Sequence, residues 1–216
     1  MLRTKLVLLG LAATLVFSAV ASSSAFAAAE TRYFVEKTEV SAANALEGTS
    51  GLAKLESTIA GTKIIIECQK DAATGEIEKE GKSKGEIKFT ECGELMQRNT
   101  AREKEKIAKC AVENITFKFI DLLVPGPGGS GEDEFKPASG STFVTIVVGG
   151  TGCNATFKGS YEVEGTQICA NPEGEVELVL HDIWCSSTGS KLKLHKELAS
   201  FTSLESLQLT SHKKWS

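Results

Sequence analysis

Three observations predict an all-β fold for this chain, a single β-sandwich or closed antiparallel sheet of about ten strands held by disulfides. Short apolar runs alternate with polar residues at the period of a half-buried strand, as at Ile87 and Phe89 or Leu192 and Leu194. Clusters of Gly, Pro, Ser and Asn punctuate those runs, and little of the chain carries a helical pattern. Six cysteines, Cys68, Cys92, Cys110, Cys153, Cys169 and Cys185, make an even set that reads as three structural disulfides. Metal binding by them is disfavoured, because no pair has CxxC-like spacing and the three histidines stand apart from them.

Residues 1–27 read as an export signal: Arg3 and Lys5 give a basic start, Leu6 to Ala21 an apolar core, and Ala25-Phe26-Ala27 a small-x-small cleavage site, with Ala29 the alternative. Residues 28–216 are then a single secreted β domain, released to the exterior or associated with the cell envelope. The apolar core is too short for a comfortable span, and no later stretch approaches the roughly 20 apolar residues a membrane helix needs, so no membrane insertion is expected after cleavage. Removing Arg3 and Lys5 takes the formal charge from −4 to −6, an acidic balance that argues against nucleic acid as a partner.

Taken in order, Thr31 to Val40 is a first strand, and Ser41 to Gly51, small and polar, a loop or arm. After the weakly alternating Leu52 to Thr58, TKIIIEC is rich in β-branched residues, suits a strand buried on both faces, and ends at Cys68. Asp71 to Gly85, rich in Gly, Glu and Lys, reads as an exposed hairpin edge. Alternation puts Ile87 and Phe89 on one face of the next run, and Ile115, Phe117 and Phe119 on one face of its partner. Pairing these with Cys92 opposite Cys110 sets Ile87 against Ile115, with both cysteines on the outer face; Phe89 then meets Glu113, a misfit that a bulge or a two-residue slip would relieve. The intervening Ala101 to Lys109 has helix formers and mixed charge, and reads as a solvated loop with at most one or two helical turns.

Residues 124–140 hold three of the four prolines and form a long surface loop rather than a domain linker. Its GGSG has neither the following lysine nor the context of a phosphate loop. Thr142 to Val148 is a continuous apolar strand. Beyond it, a tight turn at Gly159-Ser160 would let Cys153 meet Cys169, whereas an unbroken strand from Phe157 to Val163 would carry them too far apart. The local bridge is expected, which leaves Cys68 with Cys185. Strands follow at Val176 to Leu180, Leu192 to Leu194 and Leu207 to Leu209, with a turn over Ser186 to Ser190 and a polar, hydrated end at His212 to Ser216.

The chemistry is sparse. There is no G-x-S-x-G elbow or H-E-x-x-H, and His181, His195 and His212 carry no signature linking them to a nucleophile, so no catalytic, cofactor-binding or metal residue is assigned and no cofactor is expected. His181 reads as a residue on the outer face of a strand. Glu132, Asp133 and Glu134 form an acidic cluster whose simplest reading is loop solvation, since glycoside hydrolysis needs two acids at a fixed separation. Trp184, Trp215, Tyr33 and Tyr161 could stack on sugars, but such residues more often sit in a core or rim, and Trp184 could cover the adjacent Cys185.

TKIIIEC, GEIKFTEC, a further Cys-bearing strand and the closing KLKLHKELASFTSLESLQLTSHKKW resemble a group of uncharacterised exported β proteins of high-GC Gram-positive bacteria. The resemblance implies bacterial export and no particular activity. The expectation is a secreted, non-catalytic β domain that binds an extracellular polysaccharide or protein. A hydrolase with paired carboxylates and a secreted inhibitor are the alternatives.

Overall fold

The computed structural model describes residues 31–100, 103–127, 131–171 and 176–216. The export signal expected at 1–27, Ala101 and Arg102, and the GGSG residues 128–130 lie outside them. The protein is all-β, with fourteen strands in one antiparallel sheet, a separate two-stranded hairpin, and no α-helix among the described residues. No helix there is long and apolar enough to cross a membrane.

The first strand expected at Thr31 to Val40 is a hairpin, β1 (Phe34–Val35) and β2 (Thr38–Glu39), turned at Glu36 and Lys37. Ser41 to Gly51 is not an arm: it forms β3 (Asn44–Ser50), and β4 (Ala53–Ile59) continues its line, both pairing with β5 (Thr62–Ile77) in one register. Ile64, Ile65 and Ile66 are all buried, as a strand covered on both faces requires. That strand does not end at Cys68. Exposed Gln69 and Lys70 interrupt its alternation and move the buried positions from Ile64, Ile66 and Cys68 to Asp71, Ala73 and Ile77. A turn at Lys79–Gly81 leads into β6 (Lys82–Cys92), and this hairpin is interior rather than an exposed edge, since both its strands have further partners.

From Lys104 to Lys109 the segment is strand rather than helix or loop: β7 (Glu94–Arg98) and β8 (Lys104–Val112) pair as a hairpin. β9 (Ile115–Pro125) then pairs with β6, setting Phe89 against Ile115 and Ile87 against Phe117. This is the two-residue slip that frees Phe89 from Glu113. The region expected as a long loop contains the end of β9 and all of β10 (Gly131–Pro137), which pair with each other. β11 (Thr142–Gly149) and β12 (Gly159–Glu164) form the next hairpin, followed by β13 (Gln167–Ala170) and β14 (Leu180–Ser190). Val176 and Leu178 precede β14, and Ser186 to Ser190 belong to it rather than to a turn. β15 (Leu192–Leu194) and the long β16 (Glu197–Leu209) complete the sheet.

The six cysteines form three disulfides, but with other partners than the sequence suggests: Cys68–Cys92, Cys110–Cys153 and Cys169–Cys185. Cys92 lies opposite Cys68 across β5 and β6. It cannot face Cys110, which sits on β8 and is wholly buried instead of lying on the outer face. Cys153 is kept from Cys169 by the unbroken β12, and Cys169 lies opposite Cys185 on β14. Bonds of this kind form and persist in oxidising compartments.

The pairings close the sheet twice. One ring of eight runs β5, β3, β16, β14, β13, β10, β9, β6 and back to β5. A second runs β5, β4, β16, β15, β12, β11, β8, β7 and back to β5. β5 and β16 pass through both, and each remaining position holds one strand per ring, such as β3 beside β4 or β10 beside β11. The molecule is therefore an elongated antiparallel barrel with two sets of staves and no open edge along either ring. Tyr33, Val40, Leu46, Ile77, Leu209 and Trp215 pack together at one end, where the segments flanking β1 and following β16 meet. Val35 and Leu178 both bridge to Trp215, so the closing residues His212 to Ser216 are not simply a hydrated tail.

Candidate functional site

The alternation that builds the staves also fills the interior. Inward positions carry Phe89, Phe117, Phe119, Phe135, Phe143 and Phe201, with Leu, Ile and Val between them. Their rings meet edge to face, Phe119 and Phe135 with centroids 5.1 Å apart, Phe117 and Phe143 5.6 Å, Phe89 and Phe201 5.9 Å, while Phe89 and Phe117 stack at 5.9 Å. These contacts do not fill the barrel. A cavity of about 120 Å³ remains among them.

Toward the end capped by Tyr33 and Trp215 the same lumen turns polar. Asp121 on β9 and Asp133 on β10 are both buried, and the Tyr33 hydroxyl lies 3.1 Å from a carboxylate oxygen of each. Ser83 donates a second hydrogen bond to Asp121 Oδ2 at 2.9 Å. Burial, reinforced by the neighbouring Asp133 charge, holds the Asp121 carboxyl well above the usual carboxylate range. Asp133 is pushed up to about 6, again chiefly by burial. Glu205 on β16 is raised to about 8 by burial and then by the charge of Asp71, which itself accepts from the Ser50 amide at 2.7 Å. The phenol of Tyr33 is raised by burial and by both aspartates.

Two cross-strand rows organise this end. Asp121, Phe135 and Gln167 lie opposite one another across β9, β10 and β13. Asp133, Cys169, Cys185 and Ser203 do so across β10, β13, β14 and β16. Four buried polar atoms here have no hydrogen-bond partner: Asp121 Oδ1, Gln167 Oε1, Ser203 Oγ and Trp215 Nε1. All four belong to residues that line the cavity. His181 supports the cap from behind, where Nε2 donates to the Trp215 carbonyl at 2.6 Å and Nδ1 accepts from Asn171 at 3.4 Å.

Several residues singled out in the sequence therefore stand elsewhere than expected. The acidic cluster is strand, not loop: Asp133 points inward, while Glu134 pairs with Lys136 at 2.6 Å. His181 is fully buried rather than on an outer face. Tyr33, Tyr161 and Trp215 are buried, so they form no stacking platform; Tyr161 donates to the Phe157 carbonyl at 2.8 Å. Trp184 is 55 % exposed on the outside of β14 and covers no disulfide. Asp121 and Asp133 share the Tyr33 hydroxyl and hydrogen-bond to each other, without the gap of about 5–10 Å that glycoside hydrolysis uses. Among the described residues no cluster of three or more metal-ligating side chains occurs.

Asp121, Glu205, Gln167 and Ser203 were not singled out by the sequence, although three of them left a signal. Asp121 continues the parity of Ile115, Phe117 and Phe119, and Glu205 and Ser203 that of Leu207 and Leu209, so each is a polar residue at an inward position.

The outer surface is charged, with pairs such as Lys84 to Glu76 at 2.8 Å and Arg98 to Glu56 at 2.6 Å. An apolar lumen inside a charged wall reverses the pattern of a membrane-spanning barrel. No protein-family model, curated protein or solved structure matches the chain.

Proposed function

We propose that this is an exported, non-catalytic binding protein that holds a small apolar molecule inside its barrel. The carrying observation is the unfilled, phenylalanine-lined lumen of about 120 Å³ in a closed eight-stave ring. Protein interiors are close-packed, and a void of this size costs on the order of 3 kcal/mol at the usual rate per unit volume. Eight-stranded barrels either fill that space with side chains or keep it for one small ligand. Dry apolar cavities of comparable size take up molecules such as benzene. The leader at residues 1–27 and the three disulfides support action outside the cytoplasm.

Thermal unfolding of the oxidised protein in rising toluene tests this reading. The expected result is a saturable rise in Tm that disappears in Ala73→Leu, whose larger side chain projects into the lumen. No saturable rise, or an unchanged response in the folded variant, would overturn it.

A second reading, attachment to an extracellular polysaccharide, draws on the outer face of β14 and β16. There Trp184 lies opposite Leu204, both more than half exposed, with Leu180 farther along the same strand. Trp184→Ala should lower retention on insoluble cell-wall polysaccharide and leave toluene binding unchanged. Equal retention of both proteins contradicts attachment through this face.

A further inference from the structure

We propose that the polar end of the lumen recognises a primary ammonium group, so that the ligand is a small amine with an apolar body about the size of one aromatic ring. This rests on the lumen being the binding site and adds the chemistry of the ligand's head. Gln167 Nε2 donates to the Ile168 and Ser186 carbonyls at 2.9 and 3.1 Å, which fixes the amide and leaves Oε1 as an open acceptor. Asp121 Oδ2 accepts from Ser83 and Tyr33, and the protonated carboxyl hydrogen-bonds to Asp133, while no protein group donates to Oδ1. The two residues flank Phe135 in one cross-strand row, and Ser203 Oγ, also unpartnered, lies at the end of the neighbouring row from Asp133.

Asp71, Asp121, Asp133 and Glu205 are all buried, and none of the ion pairs among the described residues involves them. A buried carboxylate without a countercharge is unfavourable. An ammonium head supplies the donors missing at Gln167 and Asp121 and a countercharge against which the buried acids ionise, whereas an anionic head would oppose that ionisation. The phenylalanine-lined part of the cavity takes the body, and its volume limits that body to about one ring.

The experiment is calorimetric titration of the oxidised protein near pH 7 with toluene, benzyl alcohol, benzylamine and benzoate, each in two buffers of different ionisation enthalpy. Benzylamine should bind about tenfold or more tighter than toluene and benzyl alcohol, with benzoate undetectable. Benzylamine binding should also release protons, because the carboxyl groups ionise as the cation arrives, while toluene binding releases none. Asp121→Asn should bring benzylamine to within about twofold of toluene and leave toluene itself unchanged. Proton release by the unaltered protein keeps the test decisive if that variant does not fold. Toluene binding without amine preference or proton release would overturn this inference and leave the lumen reading standing. Binding of none of the four would overturn both, with the unpartnered atoms then satisfied by water alone.

Discussion

Glu205 faces Asp71 inside the barrel, and its raised proton affinity links folding to pH with a definite sign. The folded protein holds this proton from the ordinary carboxylate range near 4.5 up to about 8, whereas the unfolded chain has lost it. Its stabilising contribution is therefore complete at low pH and is lost as pH rises through about 8. Asp133 adds the same trend up to about 6. Each group contributes a slope of at most about 1.4 kcal/mol per pH unit inside its own window. Urea midpoints should fall between pH 5 and pH 8, and Glu205→Gln should flatten the upper half of that fall; a midpoint that rises over the range contradicts the burial of these acids. Tyr33→Phe removes the hydroxyl shared by Asp121 and Asp133 and should cost about 1–3 kcal/mol, read by the same denaturation. Asp121 and Glu205 were legible as inward acids once the parity of Phe117 and Leu207 was extended. Ser203 shares the Glu205 parity, whereas Gln167 was hidden because its burial comes from strands distant in sequence closing over it.

At the scale of single strands, the sequence showed those that alternate without a break and concealed those that change parity. TKIIIEC, TFVTIVV and Leu192 to Leu194 are strands as expected. The second half of β5 was hidden by Gln69 and Lys70, and β3 by its small polar residues, whose strand form is imposed by β5 and β16 on either side. β7 and β8 carry helix-forming residues, and pairing with each other and with β5 and β11 overrides that propensity. The β5–β6 hairpin depends on Gly75 opposite Gly85. A Cβ at Gly85 would lie 2.5 Å from the Thr74 carbonyl oxygen and 2.9 Å from the Phe119 ring. Gly85→Ala should therefore destabilise by about 1–3 kcal/mol and displace Phe119 from the lumen wall, visible as lost near-ultraviolet circular dichroism. Wild-type stability in that variant would contradict the close approach of β5 and β6.

Across the whole molecule, the closed form follows from pairings between segments far apart in the chain, which is why the sequence left sandwich and closed sheet as alternatives. The disulfides follow the same geometry: two join strands directly paired in the wall, and Cys110–Cys153 ties β8 to the turn beyond β11. With separations of 43 and 16 residues, replacing Cys110–Cys153 by alanines should cost about 1 kcal/mol more than replacing Cys169–Cys185, on loop-closure entropy. An equal or reversed order in denaturant unfolding would contradict that entropic ranking. The central claim is that the barrel encloses apolar space able to take up a guest. The most direct measurement is diffraction from crystals of the oxidised protein under xenon pressure. The account predicts xenon density in the lumen between Phe89, Phe117, Phe119 and Phe135 with the surrounding walls unmoved; a lumen filled by side chains, or one that excludes xenon, would contradict it.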